Sequence, residues 1–394
     1  MQRFIRTFEN PAALLAVIVT ALMCTGMVML YSASGAWAGR ENIRVIARDE
    51  HRAEEDYRFH HGSDYLVKQV MWAALGLAVG LALMKLPLEF YEKYALHILI
   101  LSLLLLVLVV ATPLGVSAKG AKRWLRLGPL TVQPSEFAKI GLVIFMARML
   151  ADRRGEMHSF KRGFLPCIAV MAVFAGLVVL EKDLGTIMLM GCVVTGMWCL
   201  ARVRIHHLMI ILGAACPLVA ALIFQHSYRV NRILAFLYPE KYALTIGYQL
   251  NQSLIAVGSG GAAGAGLGYG MQKYHFLSES HTDFIFAIVC EELGLVGAVS
   301  ICLLFALFVI IGFKISYNAP DYFSGLVAAG LTMVVGCAAL INFFVVLGMA
   351  PTKGLPLPFF SYGGSSIITS ILCTAILIAI ANHSCNLRGA KEAV

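Results

Sequence analysis

Uncharged apolar runs dominate the chain and polar residues fall between them. About ten such blocks follow one another, over residues 12–33, 66–86, 95–112, 133–150, 164–180, 184–201, 207–225, 284–312, 323–348 and 366–382. A helix needs roughly 20 apolar residues to cross the hydrocarbon of a bilayer. The pattern therefore predicts an all-α polytopic membrane protein with about ten transmembrane helices, organised as a single membrane domain over residues 1–394. Its longest connections are 34–65 and 226–283, the second forming a large loop between spans seven and eight. Arg3 and Arg6 precede the first block, but that block is too long for the apolar region of a cleavable signal and no small-residue cleavage pattern follows it, so it reads as a span.

Composition agrees with the pattern. Of 394 residues, 59% are hydrophobic and 13% charged, and the mean hydropathy of +0.80 lies outside the soluble globular range. Basic residues are densest in the short even-numbered loops (Arg148, Arg153, Arg154, Lys161, Arg162; Arg202, Arg204), and the first long loop is net acidic, which places the N-terminus in the cytoplasm. Ten spans return the C-terminus to the same side. The ten cysteines lie almost all within apolar runs without CxxC pairs or histidine partners, as small packing residues do; neither disulfides nor a zinc site are expected.

The polar residues that break the pattern gather in the odd-numbered loops. The third, KGAKRWLRLGPLTVQPSEFAKIG, carries Lys119, Lys122, Arg123 and Arg126, then Glu136 and Lys139 just inside a span. Residues three apart share a helix face, so Glu136 and Lys139 form either a packing ion pair or part of a cavity lining. The fifth, EKDLGT, is a hairpin with Asp183 at its tip, placed to cap a helix or to meet a ligand. The seventh holds Arg229 and Arg232, then seven glycines within 258–270, which serve close helix packing, loop freedom or an approach of backbone to an anion. It ends in HTDF, with Asp283 at the start of a span that carries Glu291 and Glu292 two turns further in. Neighbouring helix residues point about 100° apart, so at least one of those glutamates should pair with a polar group on another span. The ninth loop, MAPTKGLPLPFFSYGGSS, carries Lys353 among prolines and glycines that forbid a regular helix and predict a re-entrant lining. All four loops fall on one side. They bring carboxylates (Asp183, Asp283, Glu136) and cations (Lys119, Lys122, Arg123, Arg229, Arg232, Lys353) to the outer face against the usual charge bias, which suits an anionic, lipid-linked phosphate or pyrophosphate.

KGAKRW…QPSEFAK, DLGT, GYQLNQSLIAVGSGG, HTDFIFAIVCEELG and PTKGLPLPFFSYGGSS, in this order, resemble the SEDS family of peptidoglycan polymerases over nearly the whole chain. TKGLPLPF and HTDFIFA look more like its cell-division branch than its elongation branch. The resemblance implies a ten-helix, inverting glycosyltransferase that polymerises lipid II on the outer leaflet of the cytoplasmic (inner) membrane at the division septum. It implies a class B penicillin-binding protein transpeptidase and other divisome proteins as partners, and no nucleic acid. The family's essential aspartate maps to Asp283, its QPSE…K pair to Glu136 and Lys139, and its DLGT aspartate to Asp183. Two departures are visible: Lys182 stands where the family usually has proline, and Ser278-Glu279-Ser280 precedes HTDF in place of PEA or PES. No resident metal is assigned, although a divalent cation such as Mg2+ could sit between carboxylate and pyrophosphate. The competing reading is a flippase or transporter of a lipid-linked precursor, which would spread polar residues through the bilayer and over both faces.

Overall fold

The computed structural model describes residues 10–48, 62–118, 121–128, 130–274, 276–277 and 279–392. In chain order the helices are α1 (Pro11–Arg48), α2 (Gly62–Met84), α3 (Leu88–Ala111), α4 (Pro134–Asp152), α5 (Leu165–Leu180), α6 (Leu184–Leu200), α7 (Ile205–Phe224), α8 (Ser227–Leu237), α9 (Tyr248–Ser259), α10 (Ile285–Tyr317), α11 (Tyr322–Val346) and α12 (Gly364–Glu392). Among the described residues, 8 helices are long and apolar enough to cross a membrane. Two more complete the pattern of apolar blocks: the shorter α6, and α4, whose apolar run is interrupted by Glu136, Lys139 and Arg148. Helix is the expected outcome, because hydrocarbon offers no water to satisfy a backbone N–H or C=O and a helix satisfies them within itself.

The centre of the bundle is α11 and α12, the two spans most enclosed by protein, with α4, α6, α10, α1 and α2 around them. At the other extreme stands α7. His207 is its only buried residue, and its main neighbour is the short α8 that follows it.

The third loop differs from a plain helical reading. Residues 115–132 form a three-stranded antiparallel sheet, β1 (Gly115–Ala118), β2 (Ala121–Leu127) and β3 (Leu130–Val132), with Val116 opposite Trp124 and Arg126 opposite Thr131. Leu125 turns into the protein and Arg126 to solvent, the alternation that the pleat imposes.

The seventh loop is built around a break in α10. Gly294, at φ 65° and ψ −164°, interrupts the helix. The groups freed by that break are taken up by the glycine-rich stretch: Ala265 N–H donates to Glu291 O, Gly266 N–H to Glu292 O, Leu295 N–H to Gly261 O and Val296 N–H to Ala262 O. Such contact requires bare backbone, since a Cβ on Gly260 would lie 1.9 Å from Cys290 O and one on Gly264 2.2 Å from Glu292 O. The glycines thus serve close packing against a broken helix.

Candidate functional site

Residues 349–363 enter the protein between α11 and α12 without forming a regular helix, and Leu355, Leu357, Phe359 and Phe360 are buried. Side chains and loop backbone satisfy the segment. The Ser361 hydroxyl donates to Thr282 O (2.6 Å) and accepts from Leu357 N–H (2.7 Å), Tyr362 N–H donates to His281 O, and Gln69 of α2 bonds both Ser361 O and Gly363 N–H. Phe359 holds φ 66°, a region unfavourable for a bulky side chain. Its packing among Phe305, Phe308 and Phe360 fixes it there.

This segment is the hub of the site. Asp283 lies half-buried in the turn ahead of α10. The helix N-cap is Phe284, with no side-chain cap bond, so Asp283 does not occupy the capping position. Its main-chain oxygen accepts from Asn342 Nδ2 (2.9 Å), and the same amide donates to Leu355 O (2.9 Å), which locks the HTDF turn to the re-entrant segment. The Asp283 carboxylate lies beside Gly354, where a Cβ would come within 3.3 Å of Oδ2. Next to it, Lys353 places its ammonium against Met188 Sδ, and Arg232 donates to Thr352 O. Burial and then the nearby Arg232 charge push the Lys353 pKa below its ordinary value.

On the other side of Leu355 stands the DLGT hairpin, where Leu355 packs against Gly185. Asp183 is the N-cap of α6, accepting from Thr186 N–H (3.2 Å) and Thr186 Oγ1 (3.0 Å), and lies 3.7 Å from the Arg123 guanidinium. Arg123 also donates to Glu181 O and Lys182 O, so β2 clamps the hairpin. Lys182 takes φ 60°, which a proline ring cannot adopt. The departure at this position therefore comes with a different turn. Glu181 is fully buried there, and desolvation, then the Asp183 charge, raise its pKa from 4.5 to about 8 against the opposing influences of Arg123 and Ser135.

Glu136 and Lys139 form an ion pair at 2.7 Å inside the first turns of α4, both nearly solvent-free. They line a cleft with Leu355, Pro356, Pro358, Ser366 and Ser370. Its volume of about 20 Å³ holds roughly one water and no sugar. The pair thus sits behind the re-entrant segment.

Two of the expected cations are engaged elsewhere. Lys122 donates to Val110 O and Thr112 O at the end of α3, and Arg229, buried, donates to Leu222 O and the Tyr228 hydroxyl at the end of α7. Both satisfy carbonyls that a helix end leaves open. Lys119 lies outside the described residues.

The structure also brings together a cluster that the sequence left unmatched. Lys273 meets Glu292 at 2.6 Å, Ser32 of α1 donates to the same carboxylate, and Glu291 accepts from the N–H groups of Met271 and Gln272. Both glutamates are therefore structural: they tie the glycine-rich stretch and α1 to the inner end of the half-helix that Asp283 precedes. The signal available was a lone lysine just after the glycines, beside a loop that had to reach two intramembrane carboxylates.

The family model described as cell cycle protein, FTSW_RODA_SPOVE, matches residues 12–386. The chain belongs to this family. Among its relatives is a probable peptidoglycan glycosyltransferase FtsW of Geobacter metallireducens, 36% identical over 379 residues, covering 96% of either chain. Stage V sporulation protein E of Bacillus subtilis is 33% identical over 377 residues, covering 95% of this chain and 98% of that one. Two solved structures share the family's fold. One, from work on coordination of polymerization and crosslinking by a peptidoglycan synthase complex, is 28% identical with a TM-score of 0.73, over 94% of this chain and 97% of its own. The other, the rod shape determining protein RodA of Thermus thermophilus, is 26% identical with a TM-score of 0.65, over 93% and 95%.

Proposed function

We propose that this family member is a peptidoglycan glycosyltransferase that polymerises lipid II into glycan strands at the outer face of the cytoplasmic membrane, in septal wall synthesis during cell division. The observation that carries the reading is the convergence on residues 352–355: the carboxylate of Asp283 beside Gly354, Lys353 next to it in the chain, and Arg232 bonded to Thr352 O, at one end of the bundle. The family membership, the name of the Geobacter relative and the peptidoglycan synthase neighbour support it. A lipid-linked precursor transporter would need polar groups through the bilayer depth, whereas Glu136, Asp183, Asp283 and Lys353 gather at one end.

In this reading Asp283 takes the proton from the acceptor sugar hydroxyl as its oxygen attacks the anomeric carbon of the donor. The bond to the undecaprenyl pyrophosphate breaks, and that group leaves with the bonding electrons. Lys353 and Arg232 meet its developing charge, and an arriving pyrophosphate favours the charged lysine that burial and Arg232 otherwise oppose. One displacement inverts the donor linkage and needs no covalent enzyme intermediate. Among the described residues no group of three or more His, Cys, Asp or Glu is placed to hold a metal ion. In this reading a lipid tail enters beside the loosely packed α7, of which His207 alone is buried. The class B penicillin-binding protein and other divisome proteins are the partners of this reading, and the septal inner membrane its location.

Labelled lipid II, supplied to the purified protein with and without a cognate transpeptidase and read out as glycan chain length, tests the proposal. Asp283→Asn should insert, stay stable and bind its partner, yet make no glycan. A polymerising Asp283→Asn enzyme would end the assignment.

A further inference from the structure

At the end of the bundle opposite Asp283, α4 and α6 finish and α11 begins, and a second cavity of about 340 Å³ opens between them. It is lined by Arg154, Met157, His158, Leu200, Ala201, Arg202 and Tyr322. The chemistry of this lining is one-sided: two guanidinium groups, an imidazole and a phenol, with no carboxylate. The acidic groups nearby are held elsewhere or point away from the lining. Asp321 caps α11 through Ser324 N–H (2.8 Å) and Oγ (2.7 Å), Asp152 pairs with Arg148 at 3.6 Å, and Glu156 of the same connection is exposed outside the cavity.

The Arg154 side chain and the Arg202 backbone are held in place. The Arg154 guanidinium stacks over the Tyr322 ring at 4.3 Å from its centroid. Arg202 sits at φ 58°, just past the end of α6, where its N–H bonds Cys199 O and that of Val203 bonds Trp198 O. This is the helix-ending position that glycine fills most easily, and an arginine here brings a cation to the cavity at the expense of backbone comfort. The cavity's apolar lining is Met157, which is buried, Ala201 and the half-exposed Leu200.

A planar, multiply donating cation pair beside an apolar lining, at the level where a span ends, matches a phosphodiester with acyl chains attached. We propose that this cavity binds the headgroup phosphate of an anionic phospholipid from the leaflet opposite the one Asp283 faces. The site is separated from the catalytic end by the length of α4, 19 residues or roughly 28 Å, and it does not depend on which reaction Asp283 performs.

The test uses the full chain in nanodiscs of phosphatidylcholine alone or with phosphatidylglycerol or cardiolipin, with bound lipid counted by native mass spectrometry after release. The wild-type protein should retain anionic lipid over phosphatidylcholine, and Arg154→Gln with Arg202→Gln should lose that preference by about tenfold or more. The double variant Lys161→Gln with Arg162→Gln, which removes equal charge from the same connection outside the cavity, should retain it. Equal losses in the two double variants mean diffuse attraction to the membrane and overturn the site. Inorganic phosphate supplies the second arm: if it displaces the retained lipid and raises the melting temperature as well as the lipid does, the ligand is a soluble phosphate and the lipid assignment fails. Should the arginine variant melt early in pure phosphatidylcholine, Tyr322→Leu decides, since it removes the platform of Arg154 and keeps every charge. A preference unchanged in Tyr322→Leu would then reject the site.

Discussion

The Asp283 carboxylate rests against Gly354, with only 3.3 Å between Oδ2 and the position a Cβ would take on that glycine. The distance is just tight enough that one methyl must displace the carboxylate slightly. Gly354→Ala should therefore fold normally and polymerise more slowly, and Gly354→Val should lose about a hundredfold in rate, the penalty of moving a reacting group by roughly 1 Å. Initial rates with labelled lipid II, beside melting temperatures, check both. A valine variant of full activity would place the reacting carboxylate elsewhere.

Glu136 and Lys139 are paired almost out of reach of solvent. Removing one partner leaves the other charge buried, at about 3–5 kcal/mol. Glu136→Ala and Lys139→Ala should each lower the unfolding temperature sharply and cripple polymerisation. The swapped variant, Glu136→Lys with Lys139→Glu, should recover folding more than activity. Full turnover by Glu136→Ala would reduce the pair to packing.

Glu181 gives the protein a pH-dependent stability. Its native pKa of about 8 lies above the ordinary 4.5, so between those values the folded state holds a proton that the unfolded state has released. Stability from this group is complete below about 4.5 and is lost as the pH rises through 8. Melting temperatures measured from pH 5 to pH 8.5 should fall more steeply in the wild type than in Glu181→Gln, which stays neutral throughout. Parallel curves would show that Glu181 does not titrate there.

The break in α10 demands glycine on both sides of the contact. A Cβ on Gly294 would lie 2.3 Å from Gly264 N, and the backbone there is left-handed. Gly294→Ala and Gly264→Ala should each cost about 1–3 kcal/mol from backbone strain alone, and more from the clash. Thermal unfolding in nanodiscs should show the loss at both positions. At Gly176, where nothing lies within 4 Å, alanine should be neutral.

The ten apolar blocks were legible because hydrocarbon permits few alternatives to a helix, and the same constraint marked 349–366 as re-entrant, of which 364–366 open α12. The Glu136–Lys139 contact was legible from spacing alone, a local fact. What stayed hidden depends on distant partners. The sheet at 115–132 was obscured by lysines and arginines that read as a basic loop, although Gly128 marks its turn. Nothing near Lys122 or Arg229 in sequence announces that their ammonium and guanidinium groups bond the carbonyls at the ends of α3 and α7. The Lys273–Glu292 pair and the break at Gly294 belong to one another across a loop, so neither could be read without the other. Glu181 passed as the end of a hairpin, and only the folded clamp of Arg123 shows how dry its carboxylate is.

The near-solitary α7 sets how the reaction should be measured. A helix with one buried residue packs loosely on the bundle, and in the proposed reaction a donor with a long isoprenoid tail enters beside it from the bilayer plane and never has to be pulled into water. The relevant concentration is then a surface density. Spreading the same enzyme and lipid II over more inert phospholipid should slow polymerisation, while diluting the vesicles in buffer should leave the rate per enzyme unchanged.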